Sequence, residues 1–91
     1  RQNNRIARRL LAADGYLDLD LPQYALQELD RIPEPGAFLP SICYLRGVAL
    51  KTLGRTAEAI PFLEDAARLI PVPLCRFAWK SLSECYAAEG D

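Results

Sequence analysis

The sequence predicts an all-α fold of five short helices in a chain of 91 residues. Three observations predict it. Apolar residues recur at three- and four-residue spacing, and strand-like alternation is weak. Proline and glycine interrupt that pattern at regular intervals. The chain also resembles itself when displaced by about 34 residues, a period typical of helix-turn-helix repeats.

The first helix is expected from about Asn4 to Leu19, with Asp18 and Asp20 bracketing its end. Asp20 is a candidate cap for the second helix, whose first turn tolerates Pro22. That helix runs to about Ile32, where Pro33-Glu34-Pro35-Gly36 stops it, since each proline removes a donor and restricts its predecessor. The third helix covers about Phe38–Leu53 and ends at Gly54, suited to a left-handed C-cap. Thr56 is the expected cap of the fourth helix, which runs to about Ile70 with Pro61 on its outer face. Pro71-Val72-Pro73 ends it, and a fifth helix follows from about Leu74 to Glu89, stopped by Gly90. Links this short favour antiparallel neighbours.

A shift of 34 sets Ala13 on Gly47, Tyr16 on Leu50, Ala25 on Ala59 and Leu29 on Leu63. A shift of 36 sets Cys43 on Trp79, Gly47 on Ser83, Leu50 on Tyr86 and Gly54 on Gly90. Except for Cys43 on Trp79, small falls on small and large on large. Small residues let two helices approach where they cross, and large ones fill the gaps between them.

In the middle unit, Gly47, Leu50, Gly54, Ala59, Ala66 and Pro71 stand at the spacings of the tetratricopeptide repeat, and the unit resembles that family. The last helix is similar to the family's opening pattern, with Trp79, Leu82, Ser83, Tyr86 and Gly90. The first unit keeps Ala13, Tyr16 and Ala25, but Pro33 shortens its second helix and Asp20 replaces the turn glycine. The linker after Ile70 is two residues longer than the family norm. The resemblance implies an alpha-alpha superhelix, a right-handed solenoid, of about two and a half repeats in one domain over 1–91. Residues 6–35 form a degenerate repeat, 38–71 the best-matching one, and 74–91 the first helix of another.

Composition narrows the function. Eleven basic and twelve acidic residues give a net charge of −1, which excludes a globally basic, nucleic-acid-binding surface. The apolar runs fall far short of the roughly 20 residues that cross a bilayer. The basic start, Arg1 to Arg9, lacks the clean apolar stretch of a leader because Asp14 breaks the apolar run after it. Histidine is absent, which removes the commonest general base and metal ligand. Cys43, Cys75 and Cys85 lack zinc-site spacing and are expected to be buried thiols in a reducing cytoplasm. No phosphate loop, nucleophile elbow or zinc-protease helix is present. The carboxylate pairs Asp18/Asp20 and Glu64/Asp65 suit caps and solvated surface better than catalysis. No enzyme, cofactor or metal is therefore expected. With no methionine, residue 1 is not expected to be a native start, and the chain is expected to be a piece of a longer one.

What remains is a binding surface for another protein. In the family, the first helix of each pair lines a concave groove that receives a peptide or partner helix. The resemblance places Leu10, Asp14 and Leu17 there from helix one, Tyr44, Val48 and Lys51 from helix three, and Phe77, Lys80 and Glu84 from helix five. Leu10, Tyr44 and Phe77 would form an apolar stripe flanked by charges, unless Leu10 and Phe77 serve the core instead. Some family members clamp the carboxylate of a chaperone's C-terminal tail. Here the matching places hold Leu10, Asp14, Leu45, Phe77 and Ser81, which cannot, so that partner is disfavoured. The alternative is assembly: Trp79, Leu82 and Tyr86 would stay open for further repeats or a second copy, giving a homo-oligomer. Arg1, Arg5, Arg8 and Arg9 suit a solvated helix face, with contact to an acidic partner or RNA as the sharper option.

Overall fold

The computed structural model describes residues 2–90; Arg1, part of the basic start, and Asp91 lie outside the described residues. The helices are α1 (Gln2–Asp18), α2 (Pro22–Asp30), α3 (Leu39–Thr52), α4 (Thr56–Leu69) and α5 (Cys75–Ala88). A single 3-10 turn, Gly36–Phe38, leads into α3. All regular structure among the described residues is helical.

The turns after α1 and α3 are built alike, and their sequences show why. Leu21 N–H bonds Tyr16 C=O at 2.8 Å and Asp20 N–H bonds Leu17 C=O at 3.0 Å. In the next unit Arg55 N–H bonds Leu50 C=O and Gly54 N–H bonds Lys51 C=O, both at 2.9 Å. This paired pattern closes a helix only if the residue after it turns left-handed. Gly54 does so at φ +80° and Gly90 at +85°, while Asp20 does so at +59°. Asp20 therefore ends α1 in the role of the turn glycine and does not cap α2, whose N-cap is Leu21 with no side-chain bond. Thr56 likewise is the first residue of α4 rather than its cap. Its hydroxyl instead donates to the Glu89 carboxylate, tying the start of α4 to the end of α5.

The remaining boundaries follow proline chemistry. α2 ends at Asp30, earlier than expected, and its last turn tightens through Arg31 N–H to Glu28 C=O and Ile32 N–H to Leu29 C=O. Ile70 leaves α4 with extended backbone, as a residue before proline prefers. Pro61 stays inside α4 on an exposed position, where the lost backbone bond faces water.

Each helix packs on the next: α1 on α2, α2 on α3, α3 on α4 and α4 on α5. The odd helices also meet, α1 with α3 and α3 with α5. The molecule is correspondingly long, 43 × 27 × 20 Å. Small residues sit at the crossings: Ala13, Ala25, Ala59, Ala66 and Ala78 are fully buried. Ala13, Ala25, Leu29, Ile42 and Ala49 form one core cluster, and Leu50, Ala59, Leu63, Leu82 and Cys85 a second. Gly47 lies where α3 crosses α4, with Leu63 filling the space a side chain would need. Between the hairpins, Arg46 of α3 reaches Asp30 of α2 at 2.7 Å.

Candidate functional site

The contacts of α1 with α3 and of α3 with α5 put the helices of the expected groove side by side. Between α3 and the start of α5 lies a cleft of about 330 Å³ lined by Ser41, Tyr44, Ile70, Leu74 and Phe77. Tyr44 is fixed from behind. Its ring packs on the Leu50–Leu82 cluster and on the Cys43–Ala78 cluster, leaving it half-buried. Phe77, in the first turn of α5, is 47% exposed, and Leu74 just before it is 62% exposed. The Arg76 guanidinium stands 5.1 Å from the centre of the Phe77 ring, a cation–π contact. The cleft is thus mostly apolar, with a hydroxyl at Ser41.

Tyr44 and Phe77, two members of the expected apolar stripe, therefore line one cleft. Leu10 is not in that cleft; with Leu17 it packs against the Ala13–Leu29 cluster, partly buried, so both largely serve the core. Asp14 and Lys80 are exposed, and Val48 is half-buried against the second cluster. Lys51 and Glu84 are bonded to each other across α3 and α5, each satisfying the other's charge. That bond holds the Glu84 carboxyl below its ordinary range.

The expected assembly patch needs one correction. Leu82 is only 1% exposed and belongs to the second core cluster. Ala78, Ser81, Leu82 and Cys85 share the buried stripe of α5. Trp79 lies off that stripe and is 55% exposed. Tyr86 is half-buried, and its hydroxyl donates to Glu64 at 2.6 Å.

Of the thiols, Cys43 and Cys85 are buried, and burial pushes both above the ordinary thiol range. Cys75 corrects the expectation of three buried thiols: at the start of α5 it is only half-buried.

Ser41, Ile70 and Leu74 were not among the expected groove residues. Ser41 stands one helical turn before Tyr44, a spacing that puts both on one side of α3. Ile70 continues the buried stripe of Leu63, Ala66 and Ala67 and packs on the Cys43–Ala78 cluster, whereas Leu74, in the proline-rich linker, is exposed and has no helical stripe to explain it. Among the described residues, no helix is long and apolar enough to cross a membrane. No protein family, curated protein or solved structure matches the chain.

Proposed function

We propose that the chain is a non-catalytic protein-binding module of the tetratricopeptide type, in which the side formed by α1, α3 and α5 receives a peptide or helix of another protein. The observation that carries this reading is the apolar cleft between α3 and α5. Phe77 is left exposed by the fold, and Tyr44, which the core holds in place, lines the same cleft. One large apolar side chain entering such a site gains about 1.5–3 kcal/mol. That is the anchor of an interface whose rim is polar.

Three further features support the repeat architecture. Consecutive helices pack in order, the left-handed turn residues Asp20 and Gly54 recur 34 positions apart, and Gly47 occupies a tight crossing. Stacked in this way, the hairpins form a superhelix with α1, α3 and α5 on its inner side.

Selection of a displayed random-peptide library on the module tests the reading. Enriched peptides should carry an aromatic or branched apolar residue and lose binding to Phe77→Ala and Tyr44→Ala variants whose helical circular dichroism is intact. Enrichment of peptides indifferent to both substitutions contradicts it.

Trp79 favours a second reading, in which α5 packs on a further repeat or a second copy. Its ring is more than half exposed on a helix whose other side is core. In that case Trp79→Glu abolishes a concentration-dependent dimer, whereas a chain that sediments as a monomer at high concentration contradicts self-association.

A further inference from the structure

A second depression, of about 650 Å³, lies between the start of α1 and the end of α2. None of its lining residues contributes to the Tyr44–Phe77 cleft. Its charged walls are Arg5, Arg8, Arg9 and Arg31, against a single carboxylate, Glu28. Four positive charges and one negative leave it at +3, in a chain whose net charge is −1. Glu28 is already shared: Arg9 reaches it at 3.3 Å and Arg31 at 3.6 Å. Arg5 and Arg8 form no ion pair among the described residues, and both are exposed. Ile6, Ile32 and Pro33 supply apolar lining between them.

We propose that this cleft binds an acidic segment of a partner protein. Arg5 and Arg8 are the free donors, and each guanidinium can grip a carboxylate through two parallel bonds. Glu28 holds Arg9 and Arg31 in position without cancelling the charge. The apolar lining suits a segment that alternates acidic and aliphatic residues. A nucleic acid fits less well, because the cleft has no aromatic ring on which a base could stack.

The test is fluorescence anisotropy on the whole chain with three labelled probes. One is a peptide of about a dozen residues alternating glutamate and leucine, the second its glutamine counterpart, the third an oligouridylate of similar charge. The acidic peptide should bind, more weakly as salt rises, and the Arg5→Glu/Arg8→Glu variant should lose about tenfold or more in affinity. Arg5→Gln/Arg8→Gln, which adds no repulsion, should show a smaller loss in the same direction. Both positions are exposed, so unchanged circular dichroism is expected. Equal binding of the glutamine peptide, or binding unaffected by both variants, overturns the proposal. Oligouridylate binding as tightly with the same dependence on Arg5 and Arg8 also overturns it, in favour of RNA.

Discussion

Gly47 and Leu63 occupy one space. A Cβ placed on Gly47 would lie 2.5 Å from Leu63 Cγ and 2.6 Å from its Cδ2. The first of these atoms is not the free end of a side chain, so Leu63, which is fully buried, has to move for anything larger than glycine to fit. The approach of α3 to α4 is set there.

Gly47→Ala should therefore destabilise the chain even though alanine is the better helix former. Overpacking costs about 1–3 kcal/mol, against a propensity gain of about 0.5–1 kcal/mol. A net loss of about 1 kcal/mol should lower the melting temperature by roughly 4–8 °C. In a Leu63→Ala background the same substitution should be neutral or stabilising, which a double-mutant cycle reads directly. Additive losses would mean that the two residues do not share the site.

The left-handed turns give a cleaner case. Nothing lies within 4 Å of a Cβ built on Gly54, so Gly54→Ala meets no neighbour and loses only through its backbone, by about 1 kcal/mol. Asp20→Gly should go the other way by about 0.5 kcal/mol, since glycine relieves the same conformation at a modest entropic cost. Chemical denaturation with an unchanged m-value measures both. A destabilising Asp20→Gly would show that the aspartate side chain contributes something beyond the turn.

Thiol labelling should rank the cysteines. Cys75 should react in the native state, while Cys43 and Cys85 should wait for unfolding, because burial both shields them and raises their pKa. Mass spectrometry after brief alkylation locates the label. Early modification of Cys85 would contradict the packing of α5 on α4.

Acid should weaken the link between α3 and α5. Lys51 holds Glu84 below the ordinary carboxylate range, so the pair contributes stability above that range and loses it as pH falls through the folded pKa. The effect is small, since the pair is partly solvated. Melting temperature should fall less on acidification in Glu84→Gln than in the parent. Identical pH profiles would show that the pair contributes nothing.

The five helices were legible because apolar spacing and proline placement are local signals. The hairpin period was legible because Gly47, Ala13, Ala25 and Ala59 must be small for helices to cross. Capping was less so. Asp20 and Thr56 have side chains that suit caps, but the geometry of the preceding turn gave Asp20 a backbone role, and Glu89, 33 positions away, took the Thr56 hydroxyl. Leu82 was grouped with Trp79 and Tyr86 through the family's opening pattern, whereas Ala78 and Cys85 define its true face. The cleft itself combines Ser41 and Tyr44 with Ile70, Leu74 and Phe77 from a linker and a later helix. Such a grouping exists only after α3, α4 and α5 have packed.

The most direct measurement is an amide chemical-shift map of the labelled chain titrated with a library-selected peptide. Binding through the proposed groove should perturb Ser41, Tyr44, Leu74 and Phe77 together, with smaller shifts at Lys51 and Glu84. Shifts confined to Trp79 and its neighbours, or spread without any at Tyr44 and Phe77, would contradict it.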